Sequence, residues 1–266
     1  MSQQLPQDFS FPDPRQEPER SGQPRMKPGA RTAMWTFLLL TAVAAILYAG
    51  VFRIRRIAVI GNSRVTWNEV VEAAGLENGI SYFAVNEEQI RANVERNRYL
   101  ILEKLEKEFP SGLTLYVRER TVCANVKVMG VAYLLDEEGV VLERPADNQL
   151  MDNVPVITGL QAREVRLGKV IVPNTARQLA AYTGLVGELI RQGYLGEVSE
   201  LNLADPDSLY MITRNGYTVH LGNDEELRAK IGTVRGVVAK LLQMQKTGGV
   251  IEASTPAVAT YTPAEL

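Results

Sequence analysis

Between Ala33 and Phe52 the chain reads AMWTFLLLTAVAAILYAGVF, without a charge, at about twenty residues the length a helix needs to cross a hydrocarbon core. Arg31 and Arg53 bracket this run, with Trp35 near one end and Tyr48 and Phe52 near the other, where aromatic rings sit at membrane interfaces. A cleaved signal peptide fits less well. The run is longer than an h-region, it begins well inside the chain, and no small-x-small site precedes a plausible mature start. The pattern predicts a retained transmembrane helix over 33–52, in contact with a lipid bilayer. Ahead of it, residues 1–32 carry Pro6, Pro12, Pro14, Pro18, Pro24 and Pro28, which oppose helix and sheet alike. That stretch reads as a disordered tail in which Phe9 and Phe11 are incidental.

Beyond the apolar run the pattern alternates between strand and helix periods. Ile57 to Ile60 is a short β-branched strand stopped by Gly61-Asn62, and Thr66-x-x-Glu69 has the spacing of a helix capping box. Val70, Val71 and Ala74 supply the stripe of that helix and Gly75 its left-handed close. A second start follows at Asn86 to Gln89, with Ile90 and Val94 four apart. Residues Tyr99 to Phe109 are ambiguous. Ile101, Leu105 and Phe109 are spaced by four among good helix formers, so propensity favours helix. Yet Pro110-Ser111-Gly112 is a turn into the alternating strand Leu113, Leu115, Val117, and pairing across it requires a strand. A hairpin there gives the order strand, helix, helix, strand, strand over 53–125.

Residues 126–262 are richer in strands. Val131–Leu135 and Val140-Val141 flank an acidic turn ending in Gly139, and Leu209–Thr213 and Tyr217–Leu221 flank Asn215-Gly216; both read as hairpins. Leu179, Tyr182, Val186, Leu189 and Ile190 define an amphipathic helix over Asn174–Arg191. Leu227, Ile231, Val234, Val238 and Leu241 define another, ended at Gly248-Gly249, and Val250 to Tyr261 reads as one closing strand.

Composition narrows the chemistry. A formal charge of −2 gives no basic footprint for nucleic acid. Cys123 is the only cysteine and His220 the only histidine, too few for a disulfide framework, a thiolate-rich zinc site or a multi-histidine metal site. Cys123, inside Val122-Cys123-Ala124, reads as packing. His220 falls on the opposite strand face from Tyr217, Val219 and Leu221, in an exposed structural role. Asp136, Glu137 and Glu138 lack the alternating ligands of a calcium loop and read as a solvated turn. Gly184, Gly187, Gly193 and Gly196 lack the strand-to-helix context of a nucleotide loop. No catalytic set and no cofactor site emerges, which leaves binding.

The order of elements behind a membrane run resembles the POTRA domain of the FtsQ/DivIB family. IAVIGNSRVTWNEVVEAAGLENG is similar to its opening and FPSGLTLYVRER to its closing strand and Glu-Arg. Tyr133-Leu134-Leu135-Asp136-x-x-Gly139 and Val154-Pro155-Val156-Ile157-Thr158-Gly159 resemble the signatures of the family's β domain. The chain departs from the family at Asn97-Arg98-Tyr99 and at Thr121, where a proline is usual. The resemblance implies an α+β protein: a disordered cytoplasmic tail over 1–32, a transmembrane helix over 33–52, a POTRA-like domain over 53–125 and a mixed, strand-rich β domain over 126–262. It also implies a side. Arg20, Arg25, Lys27 and Arg31 balance Arg53, Arg55, Arg56 and Arg64, so charge counting does not orient the helix; the family places residues 53–266 outside the cytoplasm, as a single-pass type II protein at the division septum. It implies a non-enzymatic divisome scaffold whose partners are FtsB/DivIC-like and FtsL-like division proteins. The partner-binding edge falls on Ala257, Val258, Ala259, Thr260 and Tyr261, with Tyr261 as an aromatic anchor. Two other readings are an anchored cell-envelope enzyme or assembly accessory, and a POTRA protein of an outer-membrane assembly machine. The latter requires tandem repeats and barrel strands that the sequence lacks.

Overall fold

The computed structural model describes residues 28–76 and 80–264, and the chain divides into two compact units at Phe52/Arg53. In the first unit α1 (Pro28–Val51) is a 24-residue helix. Among the described residues it is the one helix long and apolar enough to cross a membrane, over Gly29–Tyr48 with mean hydropathy 1.7. It begins at Pro28, so the last residues assigned above to the tail are helical. Proline suits the first helical position, whose N–H has no intrahelical partner. The rest of that tail, with Phe9 and Phe11, lies outside the described residues. Thr32, Thr36 and Thr41 donate their hydroxyls to carbonyls one turn back, at 2.9–3.0 Å, which satisfies them within the helix itself.

The second unit opens with β1 (Arg56–Ile60), α2 (Trp67–Ala74), a 3₁₀ turn at Tyr82–Ala84, α3 (Glu87–Val94), β2 (Leu100–Glu108) and β3 (Gly112–Glu119). The capping box forms: Thr66 accepts from the Glu69 amide and Glu69 accepts from the Thr66 amide at 2.7 Å. Gly75, at φ 73°, closes α2. At α3 the cap is one-sided, Asn86 accepting from the Gln89 amide at 3.2 Å. The sheet order is β1-β3-β2, with β1 parallel to β3 and β2 antiparallel to it. Val70, Val71, Ile90 and Val94 pack on Leu100, Leu102, Leu113 and Leu115 to form the core. The ambiguous segment is therefore a strand. A helix would bury Phe109 beside Ile101 and Leu105; instead Leu102 is buried and Phe109 is 68% exposed.

The remainder comprises β4 (Ala124–Val128), β5 (Val131–Leu135), β6 (Val141–Glu143), β7 (Val156–Thr158), β8 (Ala162–Glu164), β9 (Val172–Pro173), α4 (Ala176–Arg191), β10 (Val198–Asn202), β11 (Leu209–Thr213), β12 (Tyr217–Gly222), α5 (Leu227–Gln243), β13 (Gly249–Glu252) and β14 (Thr260–Thr262). Nine strands form one sheet in the order β14-β13-β12-β11-β10-β7-β4-β5-β6. Tyr182, Leu185 and Leu189 of α4 and Ile231, Val234 and Val238 of α5 pack on its buried side chains, among them Met211, Tyr217, Val219 and Leu221. His220 lies on the other face of β12, half-buried, its ring 5.8 Å from that of Tyr210.

Three expectations change. Ile190 is exposed rather than part of the α4 core stripe, because Leu185, Val186 and Leu189 already fill the face toward the sheet. The last helix ends at Gln243, ahead of the glycine pair: Gln245, at φ 56°, takes the left-handed position, and the Lys246 amide donates to Leu241 O at 2.9 Å. The closing strand is two strands. A reversal between them brings the Val258 amide to Thr255 O at 3.3 Å across Pro256, with Ala257 at φ 60°. β13 then runs parallel to β12, and β14 antiparallel to β13.

Candidate partner-binding surface

The two ends of the nine-stranded sheet differ. At the β6 end the chain covers its own edge: the Val141 amide donates to Lys169 O at 2.9 Å, Gly168 to Val141 O at 2.7 Å and Ile171 to Gly139 O at 2.8 Å. At the other end β14 has β13 on one side and, among the described residues, no strand on the other. Such an edge presents backbone donors and acceptors that an added strand can complete. Of the five residues proposed from the sequence, Thr260 and Tyr261 lie in this strand, whereas Ala257, Val258 and Ala259 form the approach to it. Val258 is 59% exposed. Tyr261 turns inward: its ring stands edge-on to Tyr217 at 6.3 Å and its hydroxyl donates to Gly248 O at 3.1 Å. It braces the edge strand against the core, so the outward-facing side chains nearby are Val258, Thr260 and Thr262.

A second constellation, not foreseen from the sequence, joins the three-stranded and nine-stranded sheets. The Glu119 carboxylate accepts from the amides of Ser63, Arg64 and Val65 at 2.6–2.9 Å, clamping the loop between β1 and α2. Burial pushes the Glu119 carboxyl up, but these amides outweigh it and hold it below the usual carboxylate range. Next to it, Arg120 donates to Asp136 and, at 2.8 Å, to Glu138. Arg118 reaches Glu137 and Glu138 at 3.2 and 3.1 Å. Asp136 is buried, accepting from the Glu138 and Val140 amides at 3.0 and 2.7 Å, while the Tyr182 hydroxyl donates to its carbonyl at 2.6 Å. The expected solvated turn is thus overturned at Asp136, because Arg120 and Tyr182 cover it; Glu137 and Glu138 stay partly exposed. Beside this network Val122, Leu134, Val140 and Leu142 form an apolar seam with Tyr99, whose hydroxyl donates to Glu143 at 2.8 Å.

A cleft of 490 Å³ at this junction is lined by Arg118, Arg120, Cys123, Asp136, Ile190 and Leu195, among others. Its chemistry is limited. Cys123 is buried and donates its Sγ–H to Thr121 O at 3.2 Å, and burial pushes the thiol up to about 12, so at neutral pH it is not a thiolate nucleophile. Among the described residues, no group of three or more His, Cys, Asp or Glu is placed to hold a metal ion.

The arrangement matches known families on both sides of the junction. Residues 52–120 match the FtsQ-type POTRA domain and residues 124–253 the C-terminal domain of cell division protein FtsQ/DivIB. The chain belongs to the FtsQ/DivIB family. Cell division protein DivIB of Clostridium botulinum is 22% identical over 211 residues, 78% of this chain and 80% of that protein. Cell division protein FtsQ of Syntrophotalea carbinolica is 26% identical over 206 residues, 73% and 72% of the two chains. FtsQ of a Geobacter species is 27% identical over 174 residues, 64% of this chain and 62% of that one. The solved major extracytoplasmic domain of DivIB from Geobacillus stearothermophilus aligns with 47% of this chain and 96% of its own at 19% identity, with a TM-score of 0.32. In this FtsQ/DivIB chain, the strand-closing Glu-Arg and the Tyr-Leu-Leu-Asp signature meet through Arg120 and Asp136. Two segments that read from sequence as separate signatures are one contact.

Proposed function

We propose that this chain is a non-enzymatic, membrane-anchored scaffold of the bacterial division complex. In this reading α1 is a single-pass anchor of type II orientation. The POTRA-like domain over 53–125 and the β domain over 126–262 stand outside the cytoplasm at the septum and link FtsB/DivIC-like and FtsL-like partners. The observation that carries it is the asymmetry of the large sheet, which among the described residues is covered by its own chain at β6 and open at β14. A partner strand laid along β14 completes backbone hydrogen bonds and draws side-chain contacts from Val258, Thr260 and Thr262.

The test is copurification of the full-length chain with the two partners from solubilised membranes. Val258→Asp together with Thr260→Lys places charge on the edge, a substitution that blunts strand pairing. The variant is expected to lose at least tenfold in partner recovery at unchanged melting temperature, and cells relying on it to grow as filaments. Wild-type recovery with a folded variant would sink the β14 assignment. A bulky change at Tyr261 is the wrong probe, since it also removes the brace to Tyr217 and Gly248.

A further inference from the structure

Residues 161–173 form a small hairpin that lies along the β6 end of the large sheet. The Asn174 amide donates to Gln161 O at 2.8 Å and closes its base, β8 pairs with β9, and the Lys169 amide donates to Arg166 O at 3.1 Å in its turn. Backbone bonds from Gly168, Lys169 and Ile171 to Val141 and Gly139 pin it to the sheet, so its outer surface is held in place. That surface is apolar in its middle. Leu167, Val170 and Val172 are 47%, 40% and 45% exposed, while Ile171 is buried; Val170 and Val172, two apart, face outward together. Around that middle it is basic: the hairpin carries Arg163, Arg166 and Lys169 against the single carboxylate of Glu164, in a chain whose formal charge is −2. Glu164 pairs with Arg166, and Arg163 and Lys169, both exposed, have no ion pair among the described residues. A fourth cation comes from outside the hairpin, since a Cβ placed on Gly168 would lie 3.1 Å from Cγ of Arg98. Neighbouring carboxylates are engaged: Glu143 accepts from the Tyr99 hydroxyl at 2.8 Å, and Asp136, Glu137 and Glu138 pair with Arg118 and Arg120.

We infer that this hairpin docks an acidic polypeptide segment that also carries apolar side chains, through side-chain contacts rather than an added strand. Charge complementarity selects the sign of the partner: Arg98, Arg163 and Lys169 attract carboxylates, and clustered arginines are a recurrent means of holding acidic motifs. The apolar side chains select its class. A polyphosphate or other purely ionic polymer covers the cations but leaves Leu167, Val170 and Val172 in water, whereas a segment with acidic groups beside leucine or valine buries them as well. Exposed apolar side chains rimmed by polar groups mark interfaces of this kind. The surface lies at the opposite end of the sheet from β14, so occupancy of one leaves the other open.

The test uses the full-length chain in phosphatidylcholine nanodiscs, with empty discs as the blank. The probe is a fluorescein-labelled helical peptide with glutamates on one face and leucines on the other, read by anisotropy. Saturable binding is expected, weakened about tenfold by Arg163→Glu with Lys169→Glu and about fivefold by Val170→Ser with Val172→Ser, at unchanged melting temperature. Where charge reversal lowers the melting temperature, Arg163→Gln with Lys169→Gln takes its place. Inorganic polyphosphate is expected to displace the probe far less well than the unlabelled peptide does. Absence of saturable binding overturns the inference, as does wild-type binding by the folded variants. Displacement by polyphosphate as effective as by the peptide, with no effect of the valine substitutions, assigns the surface to polyanions and overturns the polypeptide partner.

Discussion

Glu119 and Arg120 are neighbours with opposite tasks: the carboxylate reaches back to three amides near the start of the second unit, and the guanidinium reaches forward to Asp136. The Glu119 clamp gives a pH-dependent prediction. Its carboxyl is held below the ordinary value of 4.5 in the folded state, so the stabilisation is fully present above that pH and is lost as pH falls through the lower folded value. Glu119→Gln is expected to lose about 1–2 kcal/mol at neutral pH, on the scale of hydrogen bonds to a charged group at a partly exposed site. Urea unfolding of both proteins across the acid range checks this, and the gap between them should narrow below pH 4.5. A gap of constant size would mean that the glutamate acts by shape alone.

At the scale of elements, β2 shows where local signals stop. Its glutamates and lysines are good helix formers, but the strand is selected by β3 on the far side of a three-residue turn and by α2 and α3 packing on one face. Substitutions separate the two conformations. Leu102→Ala is expected to cost about 3 kcal/mol in a solubilised sample, as for a fully buried leucine. Phe109→Ala should change stability by less than about 0.5 kcal/mol, whereas a helix with an Ile101-Leu105-Phe109 stripe reverses that ranking; chemical denaturation decides. The same contrast explains what was legible in the sequence. The run of α1, the Thr66–Glu69 box, the turn at Asn215-Gly216 and the stripes of α4 and α5 are written within a few residues of themselves. The burial of Asp136 is not, since its covering groups lie 16 and 46 residues away. Nor is the split of 250–261 into two strands, which depends on β13 pairing with both β12 and β14. Nor is the inward turn of Tyr261, which depends on the position of Tyr217.

At the scale of the whole molecule, the junction between the two sheets is covered and paired. It combines the seam of Val122, Leu134, Val140 and Leu142 with Tyr99, and the Arg120–Asp136 contact, in which 3% of the Asp136 side chain is exposed. Breaking a buried ion pair from one side costs about 3–5 kcal/mol, because the other charge is stranded. Residues 53–266 are therefore expected to unfold in a single calorimetric transition, which Asp136→Ala combined with Tyr99→Ala should split in two. One transition in both proteins would show that the sheets are coupled by other contacts.

The self-covered β6 edge also bears on stoichiometry. A sheet extensible at both ends can pass strands from molecule to molecule and grow into a fibre, with no fixed composition. Here residues 168–171 occupy one end, so on the proposed reading a guest strand adds at the β14 end alone. On that reading the large sheet is extended at one end only, so copies of the chain do not pass strands on through both ends of it.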